Sequence, residues 1–527
     1  MSDGPWRRLD RLVGLAETLA GAWGPRARAS TTPGRERAIL RLFGVHDLDR
    51  EGRPLSGEVV ERYLRPSPDR LTGGLALPFA MALLEYDLAP QELALDVAAD
   101  AIDLGLEAEL LSEPDRRATA EAEASRLGQA AFERIDANRV ALRELTDLLG
   151  DPPRPWVAGG LDEPTTEEAR DAAAILVRAG ADLLRVAVPR GRELANRLQD
   201  AGLDAGPWWP RERRGARGEE GWPDELAPAG SQRGLALLRL RLDELAAERR
   251  GYARLATVAP PFGAPEQAVV AAFERVDVVW ADPVTEIVIG GVDPDRALAD
   301  HAFAHGLHRR SGTLVVFDAG PLVVAPDLAR GVPPSAATRA GRALALQLVA
   351  VTLARGDGLP AESIGIGALP GWVVEERDPA AQGIAQVALR RALFENHPLV
   401  FEEPPVHGPP AAAWPFVVAA SLADPESAAI VYRRATGARF AGHAAAVRAG
   451  LRVAIESARS FEPRVVSGSA REHGDAIVDE AIVSLERLRD EGWRSILGEA
   501  MPVRDRDRLG ATAVLERTET FDPFASA

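Results

Sequence analysis

The stretch Asp151–Val188, DPPRPWVAGGLDEPTTEEARDAAAILVRAGADLLRVAV, decides the fold. It opens on proline punctuation, Asp151-Pro152-Pro153-Arg154-Pro155, and passes into a short apolar run, Trp156–Gly160. Thr165–Gly180 follows, with Thr165 and Glu168 at capping-box spacing and Gly180 where a helix would stop. A second apolar run, Asp182–Val188, closes the stretch. Strand, helix and strand in this order imply parallel strands joined by a right-handed crossover. Further apolar runs recur at Ala253–Ala259, Val276–Ala281, Thr313–Asp318, Ile364–Leu369 and Leu399–Glu402. About seven or eight such units across residues 151–410 predict an α/β fold, a (β/α)8 TIM-type barrel. An open dinucleotide-binding sheet is disfavoured, because no glycine-rich turn follows the first run.

Outward from the barrel, residues 1–150 read as a helical region. Arg35–Phe43 places Ile39, Leu40 and Phe43 on one helical face, and Gln91–Leu149 is rich in alanine and glutamate with few breakers. Residues 411–527 are expected to form a C-terminal helical region with an extended tail. An amphipathic run, Asp475–Leu497, lies within it, and the tail closes on Thr520-Phe521-Asp522-Pro523-Phe524. Residues 204–230, rich in Gly, Pro, Arg and Trp, are too irregular for a routine connector and read as either a flexible insertion or a lid.

Composition removes whole chemistries. All 62 basic residues are arginine, and there is no cysteine. The chain alone therefore makes no Schiff base, carries no lysine-dependent phosphate loop or kinase site, and has no thiolate or iron–sulfur chemistry. Arginine, alanine, glycine and proline are all abundant, as GC-rich coding produces, but the chemical restriction holds whatever its origin. A net charge of −17 and a pI near 5.1 argue against nucleic acid or an anionic membrane as partner. No apolar run reaches the ~20 residues of a membrane helix. The N-terminal stripe is interrupted by Asp10 and Glu17, unlike a secretory signal, so the expected location is the cytoplasm.

Several residues could carry chemistry. His301, His305 and His308 share one helical face at i, i+4, i+7, yet Gly306 weakens that helix and no acidic ligand is fixed by spacing. No metal is assigned, and a solvated histidine face is expected. Arg185 lies inside the run DLLRVAV, where an arginine is costly unless an anion meets it. Asp282 and Asp318 stand at the C-terminal ends of strands, where barrel enzymes place ligand-binding groups and where ordinary loop caps also occur. Ser231-Gln232 precede a predicted helix, Arg233–Ala246, so Ser231 is an N-cap and a helix N-terminus that could receive phosphate.

Three groups of segments resemble the large (alpha) subunit of lysine 5,6-aminomutase and of the related ornithine aminomutase. They are TTPGRERAILRLFGV at 31–45 with residues 72–104, then PWVAGGL, RAGADLLRVAV and FERVDVVWAD in the middle, and GATAVLERTETFDPF at 510–524. The resemblance implies a barrel that holds pyridoxal phosphate and an amino-acid substrate at its mouth. It also implies adenosylcobalamin, carried by a smaller cobalamin-binding beta subunit with an Asp-x-His-x-x-Gly motif and the Schiff-base lysine. On this pattern Arg185, Ser231 and Gln232 fall where the family faces cofactor phosphate or substrate, and Asp282 matches a family aspartate that orients cofactor or substrate amine; Asp318 is a candidate substrate contact by its strand-end position alone. The pattern is not complete: Ala281 replaces an asparagine, Val258 an aromatic that stacks on the pyridine ring, and Gly290-Gly291 an Arg-Asp pair. Two functions follow as expectations. One is an alpha-type aminomutase subunit, inactive alone; the other is a catalytically degenerate paralogue that acts as scaffold or regulator of a cobalamin-domain partner.

Overall fold

The computed structural model describes residues 6, 8–47, 54–152, 154–161, 167–186, 223–260, 262–287, 292–318, 335–369, 379–402, 428–436, 468–497, 514–518 and 520–525. Seven helices occupy the described N-terminal part. They are α1 (Leu9–Ala29), α2 (Pro33–Leu42), α3 (Leu55–Leu64), α4 (Ala76–Tyr86), α5 (Pro90–Ala98), α6 (Leu104–Leu110) and α7 (Pro114–Leu149). A two-residue strand, β1 (Ser30–Thr31), separates the first two.

Eight parallel strands then close into a barrel. In order they are β2 (Trp156–Leu161), β3 (Leu183–Val186), β4 (Arg254–Val258), β5 (Val278–Trp280), β6 (Leu314–Phe317), β7 (Ile364–Leu369), β8 (Leu399–Glu402) and β9 (Ala428–Thr436). Between them lie α8 (Glu167–Arg178), α9 (Pro223–Arg249), α10 (Ala264–Phe273), α11 (Pro294–Ser311), α12 (Ala336–Gly356) and α13 (Pro379–Leu393). After the barrel come α14 (Gly468–Glu491) and a short strand, β10 (Leu515–Glu516), which pairs antiparallel with β1. Among the described residues no helix is long and apolar enough to cross a membrane.

The TIM-type barrel expected from the alternation of apolar runs is the fold observed, and the seven runs read as strands coincide with β2 to β8. One boundary needs correction. The eighth strand, β9, pairs with β8 and closes on β2 through Trp156↔Ile430 and Val157↔Val431, so the barrel runs past residue 410 into the part expected to be helical. Closure demands it: seven strands would leave the edges of β2 and β8 unpaired. Thr165, the expected cap of α8, lies outside the described residues, as do residues 204–222 of the irregular insertion.

Local chemistry sets the helix ends. The Thr32 side chain accepts from the Arg35 backbone N–H at 3.0 Å, Asp293 from Arg296 at 3.1 Å and Ser335 from Thr338 at 3.1 Å. Gly312, at φ +74°, ends α11 in the left-handed conformation. Against the barrel, α12 and α14 pack backbone to backbone at Gly341, where a Cβ would lie 2.5 Å from Glu480 Cβ.

Three cores result. The barrel interior holds Leu183, Ala256, Val258, Val278, Trp280 and Val316 among others. A second core fills the layer between strands and surrounding helices. The third belongs to the N-terminal helices and includes Val269 and Phe273 of α10 and Phe303 and Leu307 of α11, so that layer is seated on the flank of the barrel.

A buried ion cluster joins the two. Glu266, in the first turn of α10, accepts from Arg37 Nε at 2.8 Å, Arg41 Nε at 3.0 Å and Ser56 Oγ at 3.1 Å. Burial raises the proton affinity of this carboxyl, but the two guanidiniums outweigh burial and hold it below the usual carboxylate range. Removing the carboxylate leaves two buried guanidiniums facing each other. Glu266→Ala is therefore expected to cost about 3–5 kcal/mol, read as a drop in the denaturant midpoint, whereas Glu266→Gln loses less by keeping one acceptor. Equal, small losses in both would show that the cluster is not holding the layer.

Candidate active site

The C-terminal ends of parallel barrel strands form one mouth, and its chemistry comes from residues alternating along those strands. Leu183 faces the barrel interior, so Arg185, two residues on, shares that face. Arg185 pairs in register with Gly160 of β2 and Ala256 of β4 and is only 5% exposed. Its guanidinium lies over the indole of Trp280, 4.4 Å from the ring centroid. The same alternation runs along β5: Val278 and Trp280 point inward, and Asp282 follows.

Asp282 caps the single turn Pro283–Thr285, with Oδ1 accepting from the Val284 backbone N–H at 2.9 Å. Its other oxygen, Oδ2, is buried with no hydrogen-bond partner among the described residues. Burial, above all, pushes this carboxyl up to about 7; the Val284 N–H opposes the rise and the nearby Asp318 carboxylate adds to it. The two aspartates are joined through Thr285, whose hydroxyl donates to the Asp318 carbonyl at 3.3 Å. Asp318 itself is half-buried one residue past β6. Its Oδ1 would stand 3.1 Å from a Cβ at Gly367 of β7, so the missing side chain there leaves room for the carboxylate.

Behind Asp318 stands Arg390 of α13, which is 1% exposed. It donates from Nε to the Gly367 carbonyl at 2.8 Å and to Gln347 Oε1 at 3.0 Å. Gln347 in turn donates to the carbonyls of Phe317 and Gly367 at 2.9 and 3.1 Å. Burial pulls the Arg390 guanidinium down to about 10 while Asp318 works against that fall. At neutral pH it is a cation behind the wall of the mouth.

The structure thus brings Arg185, Asp282 and Asp318 to the barrel's C-terminal end, and it places the other two expected residues elsewhere. The helix α9 begins at Pro223, so Ser231 lies inside it rather than at its N-terminus, and the expected cap and phosphate site are not formed there. Pro223 at the first position, with Asp224 and Glu225 in the first turn, starts the helix eight residues upstream of Ser231. Gln232 accepts from Arg41 Nη1 at 3.0 Å and donates to Glu274 at 3.0 Å, which ties α9 to α2 and α10 on the outside of the barrel.

The histidine face is likewise not solvated. His301, His305 and His308 are at most 2% exposed. His301 Nε2 lies 3.2 Å from Glu286, and His305 Nδ1 lies 2.8 Å from Asp357. Burial pushes His301 down to about 4 and His308 to about 3, and it lowers His305, so all three are neutral near pH 7. Among the described residues no group of three or more His, Asp or Glu is arranged to hold a metal ion.

Trp280, Gln347 and Arg390 were not singled out from the sequence. For Trp280 a signal existed, since it lies two residues before Asp282 and shares its face. Arg390 carries no such mark in QVALRRAL, because nothing local says which of two adjacent arginines turns inward.

An aspartate held near pH 7 leaves a mark on stability. Folded Asp282 keeps its proton to a higher pH than the unfolded chain does, so its contribution is full below the ordinary aspartate range and is lost as pH rises through about 7. The loss is on the order of 4 kcal/mol at most. Asp282→Asn, which keeps the Val284 hydrogen bond but cannot ionise, is expected to exceed the melting temperature of wild type by a margin that widens from pH 5 to pH 8. Parallel melting curves for the two proteins from pH 5 to 8 would contradict the assignment.

A family comparison agrees with this architecture. Residues 7–408 match the family described as the D-lysine 5,6-aminomutase TIM-barrel domain of alpha subunit. Two similar proteins are the lysine 5,6-aminomutase alpha subunits of Fusobacterium nucleatum, 26% identical over 387 residues, and of Acetoanaerobium sticklandii, 26% identical over 380 residues. Each match takes in 71% of this chain and 66% of the relative, a little under two thirds of the relative's length. Among solved structures, dihydropteroate synthase from Anaplasma phagocytophilum, with bound 6-hydroxymethylpterin-monophosphate, matches at a TM-score of 0.34 and 11% identity, covering 57% of this chain and 98% of that one.

Proposed function

Since the chain belongs to the family of the D-lysine 5,6-aminomutase alpha-subunit TIM-barrel domain, we propose that it is the alpha-type subunit of a pyridoxal-phosphate- and adenosylcobalamin-dependent aminomutase. The reaction would be a 1,2-migration of an amino group on a lysine- or ornithine-like amino acid. One observation carries this reading beyond family membership: the buried Asp282 Oδ2, left over after the turn has used Oδ1, at the mouth of a closed barrel. A buried carboxyl oxygen without a donor fits a cofactor ring nitrogen or a substrate ammonium.

Roles follow from the groups at the mouth. With its proton held to about pH 7, Asp282 can donate or accept at Oδ2 in the working range. Arg185, steadied by Trp280, supplies positive charge for a phosphate or carboxylate. Asp318, with the Arg390 cation behind it, offers a carboxylate to a substrate amine. Bound at the mouth, the two cofactors would supply the radical and the electron delocalisation that amino migration needs. The lysine that anchors pyridoxal phosphate has to come from a beta-type partner, because this chain has none. Gln232 favours the second reading, a degenerate paralogue serving as scaffold or regulator, because its amide is engaged by Arg41 and Glu274 and not at the mouth.

Two measurements separate the readings. The isolated chain is expected to show no pyridoxyl adduct on any side chain after borohydride reduction and no turnover of any amino acid. An adduct on the purified chain alone would overturn the division of labour between subunits. In the complex with a cobalamin-domain partner, Arg185→Ala is expected to weaken pyridoxal phosphate or substrate affinity by about one to two decades, or about 1.5–3 kcal/mol, with the fold retained. Unchanged affinity accompanied by a large fall in melting temperature would make Arg185 structural and favour the scaffold.

A further inference from the structure

The segment Leu515–Phe524 returns to the N-terminal layer from the far side of the sequence and seats itself there by backbone and by rings. β10 pairs with β1 through Ser30↔Glu516 and Thr31↔Leu515. Beyond the strand, the Arg517 N–H donates to the Ala29 carbonyl at 2.9 Å and the Thr518 N–H to the Thr72 carbonyl at 3.0 Å. Arg35 of α2 donates to the Phe521 carbonyl at 2.9 Å. The Phe521 ring meets Phe43, with centroids 5.8 Å apart, and Phe524 lies between Phe132 of α7 at 5.7 Å and Phe303 of α11 at 5.4 Å.

The receiving wall is shaped for those rings. At Gly306, in the middle of α11, a Cβ would lie 2.8 Å from Phe524 Cζ, closer than a side chain can stand. The glycine that weakens this helix on sequence grounds is therefore the floor of a ring pocket. Gly128 of α7 plays the same part more loosely for Phe521, at 3.4 Å. The wall rings Phe43, Phe132 and Phe303 are buried in the core of the N-terminal helices, whereas Phe521 and Phe524 are only partly buried at its edge. The groove is thus built by residues that pack with one another, and the segment is laid onto it.

The element held by the segment also reaches the barrel mouth. Two residues after Arg35, Arg37 donates from Nη2 to the Phe262 carbonyl at 2.9 Å and from Nε to Glu266. Phe262 belongs to the turn after β4 and adopts φ +61°, a left-handed conformation that a bulky residue avoids. Such a conformation persists only where surrounding contacts over-determine it. The same turn begins at Ala259, whose N–H donates to the Trp280 carbonyl at 2.8 Å.

We propose that residues 515–518 and 520–524 form a self-docking strap, whose Phe-x-x-Phe turn seats its two rings in a preformed groove between α2, α7 and α11, and which by holding α2 keeps the turn after β4 in its left-handed form at the barrel mouth. The strap is independent of what the mouth binds. It gives the N-terminal layer a second role, that of coupling occupancy of a surface groove to the geometry beside Trp280.

The test uses the full-length chain with Phe521→Ser and Phe524→Ser, followed by hydrogen exchange. The Arg517 and Thr518 amides are expected to exchange at least about tenfold faster, and so are those of Gly263 and Gln267 after β4, with circular dichroism unchanged. A fluorescent peptide of residues 514–525 is expected to bind this variant with a micromolar dissociation constant and to restore protection at Gly263 and Gln267. It should bind wild type at least about tenfold more weakly, because the chain's own segment competes. Release of Arg517 and Thr518 without any change at Gly263 and Gln267 would reduce the strap to a local clasp and overturn the coupling. A folded variant that does not bind the peptide, or a variant that does not fold, would overturn the preformed groove. Gly306→Leu, which fills the ring pocket while leaving the segment's sequence intact, should give the same exchange pattern, and unchanged protection in it would count equally against the proposal.

Discussion

One buried carboxylate, Glu266, carries the relation between the two parts of this molecule. It binds two arginines of α2 and a serine of α3 from the first turn of a barrel helix, all out of contact with water. A lone charge at that depth would not remain ionised, and a lone arginine would be nearly as costly. Each partner therefore makes the others tolerable, and the cluster forms only when the N-terminal layer and the barrel meet in one register. The apolar surface around it is generic, built from alanine, leucine, valine and phenylalanine that could pack in many ways. The ion cluster selects one.

The same logic, with opposite sign, governs the mouth. Among the described residues no guanidinium is set against the buried Asp282, so burial drives its carboxyl toward neutrality, whereas Glu266 at comparable depth stays ionised. Asp318 is half-buried, with Arg390 behind the strand wall. The arginine stacked on Trp280 completes a mouth with charge of both signs within a few residues of strand ends.

Val258, where the resemblance leads one to expect an aromatic residue, pairs in register with Trp280, whose indole lies under Arg185. The mouth is thus still lined by an aromatic face, presented from the next strand.

The barrel was legible in the sequence because its signal is local. Apolar runs such as DLLRVAV and TLVVFD, capped helices between them, and strand-end residues such as Asp282 and Asp318 all follow from side-chain alternation and from the rule that parallel strands need crossovers. The missing side-chain amine and thiol chemistry was equally plain, since composition alone decides it. Other features depended on tertiary structure. β9 belongs to the barrel because closure requires an eighth strand. Ser231 lies within a helix because that helix starts at Pro223, and Gln232 is turned outward by Arg41 and Glu274. The histidines of α11 are buried because the helix face they share meets other elements, and Gly306 is a glycine because a phenylalanine more than two hundred residues away rests on it. In each case the deciding neighbour is distant in sequence, and a contact between distant residues leaves no periodicity in the chain to read.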